Sequence, residues 1–103
     1  EDLLDAYDLA LENMDTAAGE IYNIGGGPGN TLAIWQEFGP ILEDALEKEI
    51  PVSWEDWRPG DQRVFIADIR KAQRDLDWTP ETGPERGIRK LIDWVQKNRD
   101  LFA

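Results

Sequence analysis

Apolar positions recur along this chain with two periods. Residues 2–14 place Leu3, Leu4, Tyr7, Ala10, Leu11 and Met14 at helical spacing and put Asp2, Asp5, Asp8 and Glu12 on the other faces, which predicts an amphipathic helix of about three turns. Residues 15–19 end it. Ile21-Tyr22-Asn23-Ile24 reads as a short buried strand running into Gly25-Gly26-Gly27-Pro28-Gly29-Asn30. From Leu32 to Leu46, the positions Leu32, Trp35, Phe38, Leu42 and Leu46 form one stripe, widened by Ile34, Ile41 and Ala45. This predicts a second helix with Asn30 or Thr31 as N-cap. Pro40 inside it should kink or split it, because the ring removes one backbone hydrogen bond and crowds the preceding turn.

The second half continues in shorter pieces. Ile50-Pro51-Val52-Ser53-Trp54 alternates as a half-buried edge strand would, and an edge tolerates Pro51. Trp57-Arg58-Pro59-Gly60-Asp61 has the Pro-Gly signature of a tight turn. Val64-Phe65-Ile66-Ala67 is strand-like, and Asp68 is a good N-cap for a helix from Ile69 to Leu76. Thr82 and Glu85 make a capping box for a last helix through Ile88, Leu91, Ile92 and Val95, with Lys97 and Arg99 late, where the helix dipole favours cations. The expected architecture is mixed α/β and helix-rich, with about four helices and two to three short strands. No internal repeat is present, so residues 1–103 form one domain or a piece of one.

Charge changes the picture. Residues 1–50 hold twelve Asp and Glu against one Lys, whereas residues 51–103 hold ten of each sign, so the net charge of −11 belongs to the first half. Nucleic acid and anionic membranes should repel such a chain. The acidic half is either a solvated face or a surface that meets a basic partner, the latter making the chain a free-standing acidic interaction module. The absence of Cys and His removes thiolate chemistry and the commonest zinc ligands, leaving carboxylates, Lys and Tyr for any catalysis. Helix-spaced carboxylates without a Ca²⁺-loop pattern do not make a metal site. There is neither a membrane-length apolar run nor a signal-peptide pattern, and a cytoplasmic protein is expected. The chain opens at Glu1 already in helical pattern, as a fragment of a longer protein would.

Two stretches are candidates for a site. Strand, glycines and helix around Gly25–Asn30 invite comparison with G-x-G-x-x-G, but the third glycine would fall on Asn30, and no Gly-Lys-Ser/Thr follows for a P-loop. That stretch reads as a permissive connection, with no cofactor assigned to it. Arg58, the first arginine of the chain, sits in a turn flanked by tryptophans, where a guanidinium fork could bond two phosphate oxygens. Asp61 could accept hydrogen bonds from sugar hydroxyls. The plainer reading is a surface ion pair across a turn. Trp54, Trp57 and Trp78 are expected to pack around the turn rather than stack on a base.

RPGDQRVFIADIRKAQRDLDWTP, with IYNIGGGPGNT and the opening EDLLDAYDLALE, resembles the carboxy-terminal part of NAD-dependent nucleotide-sugar epimerases and dehydratases, in the extended short-chain dehydrogenase/reductase family. DQRVFIADI and DLDWTP are most similar to its CDP-tyvelose 2-epimerase branch. The resemblance implies a substrate-binding lobe in which Arg58 binds the nucleotide diphosphate and Asp61 the ribose. It also implies an NAD-binding domain elsewhere in the same protein, carrying the cofactor and a catalytic Tyr-x-x-x-Lys pair. Leu11 lies four residues after Tyr7 and Gly26 four after Tyr22, so no catalytic residue is assigned here. A segment cut from such an enzyme would expose apolar surface and self-associate.

Overall fold

The computed structural model describes residues 1–102, which fall into two compact units. The first unit joins Glu1–Thr31 to Ile66–Gly83. Its helices are α1 (Asp2–Glu12), α2 (Met14–Ala17) and α4 (Arg70–Leu76). Asn13 separates α1 from α2: its backbone leaves the helical region (φ −111°, ψ 37°), and its side-chain amide donates to Leu9 O at 2.8 Å. Ala6, Ala67, Ile69, Ala72, Leu76 and Trp78 are the buried core, with Leu9, Ala10, Ala17, Tyr22 and Ile24 packed against it. Three of those six are alanines, so α4 can approach the first two helices closely while Leu76 and Trp78 supply most of the apolar volume.

The second unit joins Leu32–Phe65 to the chain from Pro84 onward. There α3 (Phe38–Leu46) and α5 (Pro84–Lys97) are neighbours, and Phe38, Leu42 and Leu46 line an apolar cavity of about 310 Å³ with Ile88, Leu91, Ile92 and Val95. Arg89 spans them, reaching Asp44 at 2.7 Å and Glu85 at 3.0 Å. A short 3₁₀ turn, Arg99–Phe102, brings Phe102 edge-on to Trp94 with ring centroids 5.9 Å apart.

The helix-rich expectation holds; the strands do not form. Among the described residues Ile21–Ile24, Ile50–Trp54 and Val64–Ala67 form neither helix nor ladder. A strand exists only by pairing, and these three stretches do not pair with one another. Lys71 Nζ instead bonds Ile21 O at 3.0 Å, while Ile21, Val64 and Phe65 remain exposed.

The second predicted helix is also shorter than its apolar stripe. Glu37 N and Phe38 N both donate to Ala33 O, and Trp35 takes a left-handed conformation (φ 70°), so residues 34–37 are turns and α3 begins at Phe38. Neither Asn30 nor Thr31 caps it. Pro40 is its third residue, within the first turn, where a backbone N–H has no intrahelical acceptor to lose, and it does not split the helix. Two caps also move. α4 starts at Arg70 behind Ile69, and Asp68 accepts from Arg70 N at 3.1 Å. α5 starts at Pro84, while the Thr82 hydroxyl donates to Asp2 Oδ1. No helix among the described residues is long and apolar enough to cross a membrane.

Candidate functional site

Arg58 and Asp61 meet across the Pro59-Gly60 turn. Asp61 N donates to Arg58 O at 3.1 Å, and Gly60, at φ +87°, occupies the left-handed position that such a turn reserves for glycine. The Asp61 carboxylate closes the same turn from outside: Oδ2 accepts from Arg58 N at 2.9 Å and lies 3.5 Å from Arg58 Nε. The Arg58 side chain is 87% exposed and that of Asp61 32%. The two predicted site residues are therefore together and their backbone is fixed, while most of the guanidinium still faces water. Taken alone, this is the surface ion pair that the sequence also allowed.

The tryptophans divide differently from expectation. Trp78 is core, 2% exposed, with its indole N–H donating to Asp2 O at 2.8 Å. Trp54 and Trp57 are 75% and 59% exposed and do not pack around the turn. The loop between Glu49 and Arg63 has no helix or ladder to bury them against. Trp57 instead lies beneath Arg63, whose guanidinium carbon is 5.3 Å from the ring centroid.

The glycine stretch serves packing. A Cβ on Gly25 would come within 2.6 Å of Ala67 Cβ, and one on Gly27 within 2.9 Å of Ile69 Cδ1, so these glycines let two backbone segments touch. Beyond them Pro28–Asn30 forms a single 3₁₀ turn closed by Asn30 Nδ2 to Gly26 O at 2.9 Å. A dinucleotide pyrophosphate needs a long helix N-terminus after the glycines, and none follows here. These residues do not fit NAD. They do line a cavity of about 600 Å³ together with Asp68, Arg70, Gln73 and Thr79, which the sequence did not reveal because its walls lie some forty residues apart. Asp68 in that wall is held down to about 2 by the Arg70 guanidinium, bonded at 2.6 and 2.9 Å, and by the Arg70 N–H.

Tyr22 and Lys71 come together although no Tyr-x-x-x-Lys spacing exists. The ammonium lies 4.9 Å from the ring centroid and is held by Glu20 and Ile21 O. The Tyr22 hydroxyl donates to Asp75 at 3.4 Å. Desolvation and then the Asp75 charge raise its pKa, the opposite of what a catalytic tyrosine base requires.

No family model matches the sequence. Individual proteins do. The chain is 36% identical over 95 residues to CDP-paratose 2-epimerase of Salmonella typhi, in an alignment covering 92% of this chain and 28% of that protein. It is 35% identical over 99 residues to UDP-glucose 4-epimerase 2 of Arabidopsis thaliana (94% and 27%) and 33% identical over 98 residues to UDP-glucose 4-epimerase of Bacillus subtilis (94% and 28%). The chain thus spans little more than a quarter of the length of these curated relatives. Along nearly all of its own length it belongs to the NAD-dependent sugar epimerases. More particularly, it corresponds to their carboxy-terminal part.

Proposed function

We propose that this chain is the nucleotide-sugar-binding segment of an NAD-dependent epimerase resembling CDP-tyvelose (CDP-paratose) 2-epimerase. The observation that carries the reading is the Arg58–Asp61 turn. The two residues to which the resemblance gives the diphosphate and the ribose are held within four positions, with the arginine free to reach a ligand. Its partners are a nucleotide-diphosphate sugar and the NAD-binding domain of the same protein, in the cytoplasm. That domain supplies the cofactor and the proton-transferring Tyr and Lys, so the segment turns over nothing alone. Arg58 contributes binding: an exposed guanidinium on a backbone fixed by its own turn offers paired donors to two phosphate oxygens.

The competing reading is an acidic interaction module, favoured by the charge of residues 1–50. Titration of the intact parent polypeptide with CDP, UDP and dTDP separates the two. Arg58→Ala should weaken nucleotide binding by at least about tenfold when a charge-assisted contact is lost. Unchanged affinity would favour the module.

A further inference from the structure

We propose that Trp57, held from one side by Arg63, is the platform on which the base of the nucleotide stacks. The inference rests on the nucleotide reading above and adds a residue to it. Trp57 adjoins Arg58 and Arg63 lies two residues beyond Asp61, so the pair brackets the turn proposed to hold diphosphate and ribose. With a guanidinium over the ring and the residue still 59% exposed, indole surface remains open to a flat ligand. An indole open to water on a face it could have buried is a stacking surface for any base, because every base presents a π-face. Among the described residues no carboxylate forms an ion pair with Arg63. In a chain with twice as many acids as bases, its charge is left for the ring and for an anion.

The test is calorimetric titration of the intact parent polypeptide with CDP, with UDP and with inorganic pyrophosphate, comparing wild type, Trp57→Ala, Trp57→Phe and Arg58→Ala. Trp57→Ala should weaken CDP and UDP alike, by about tenfold or more, and leave pyrophosphate unchanged, while Trp57→Phe keeps most of the affinity. Equal loss for pyrophosphate would make Trp57 a support for the turn and overturn the stacking role. CDP binding lowered by Arg58→Ala but untouched by Trp57→Ala would also overturn it, leaving the nucleotide site standing. Insensitivity of CDP binding to both substitutions would remove the site itself. If Trp57→Ala changed only the thermal melting of the parent, the indole would be a contact between domains and the proposal would fall.

Discussion

Trp78 donates its indole N–H to the backbone carbonyl of Asp2, 76 positions away, at 2.8 Å. This bond ties the start of α1 to the segment that leaves α4. The Asp2 carboxylate reinforces it by accepting from Glu81 N, Thr82 N and the Thr82 hydroxyl at 2.9–3.1 Å. Those bonds, the one from Thr82 N foremost, hold the Asp2 pKa below its ordinary value.

The ring and the bond can be separated by mutation. Trp78→Ala should cost about 3–5 kcal/mol, because the largest side chain of a small core is removed. Trp78→Phe should cost about 1–3 kcal/mol, the aromatic bulk being kept and the donor lost. Urea denaturation with the slope held constant reads both. A Trp78→Phe variant as stable as wild type would mean that the hydrogen bond contributes nothing, and equal costs for the two variants would mean that the aromatic bulk adds nothing beyond it.

Asp68 gives a prediction about pH. Its folded pKa, about 2, lies below the unfolded value of about 3.9, so its contribution to stability is present above pH 4 and is lost as pH falls toward 2. Both partners are half or more exposed, so the effect is small and salt-sensitive. Carboxyl NMR titration should find the low value in wild type and a return toward the ordinary range in Arg70→Gln. An unshifted Asp68 in wild type would contradict the bidentate geometry.

Glycine substitutions distinguish packing from ligand binding in the Gly25–Gly29 stretch. Gly25→Ala should destabilise by about 1–3 kcal/mol, since its Cβ would overlap that of buried Ala67. Gly29→Ala meets nothing within 4 Å and should be neutral or slightly stabilising. Comparable losses at both positions, read from denaturation midpoints, would argue against the close approach.

Leu3, Leu4, Tyr7 and Leu11 are more than half exposed along α1. Apolar surface of that kind favours association, and the isolated chain should run as a dimer or larger species in light scattering. Leu4→Lys with Leu11→Lys should shift it toward monomer. A clean wild-type monomer at high concentration would sink this expectation.

What the sequence made legible was local. The stripe Leu3–Leu11 marks α1 because a helical period needs no partner to be seen, though its continuation to Met14 crosses the break at Asn13, and the Pro-Gly pair marks the Arg58–Asp61 turn for the same reason. The strands were misread because Ile21–Ile24 and Val64–Ala67 have strand composition, whereas pairing is a property of two segments. α3 was overextended because Leu32 and Trp35 continue the apolar period, although Trp35 leaves the right-handed region. The exposure of Trp54 and Trp57 had no local signal at all. Nothing in a tryptophan's neighbours along the chain reports whether tertiary structure will cover it.

The first unit is discontinuous, made of residues before 32 and after 65. During synthesis at about 5–20 residues per second, α1 therefore waits roughly 4–15 seconds before Trp78 exists to meet it. Over that interval Ala6, Leu9 and Ala10, the face of α1 that meets the core, lack the partners that Leu76 and Trp78 later supply.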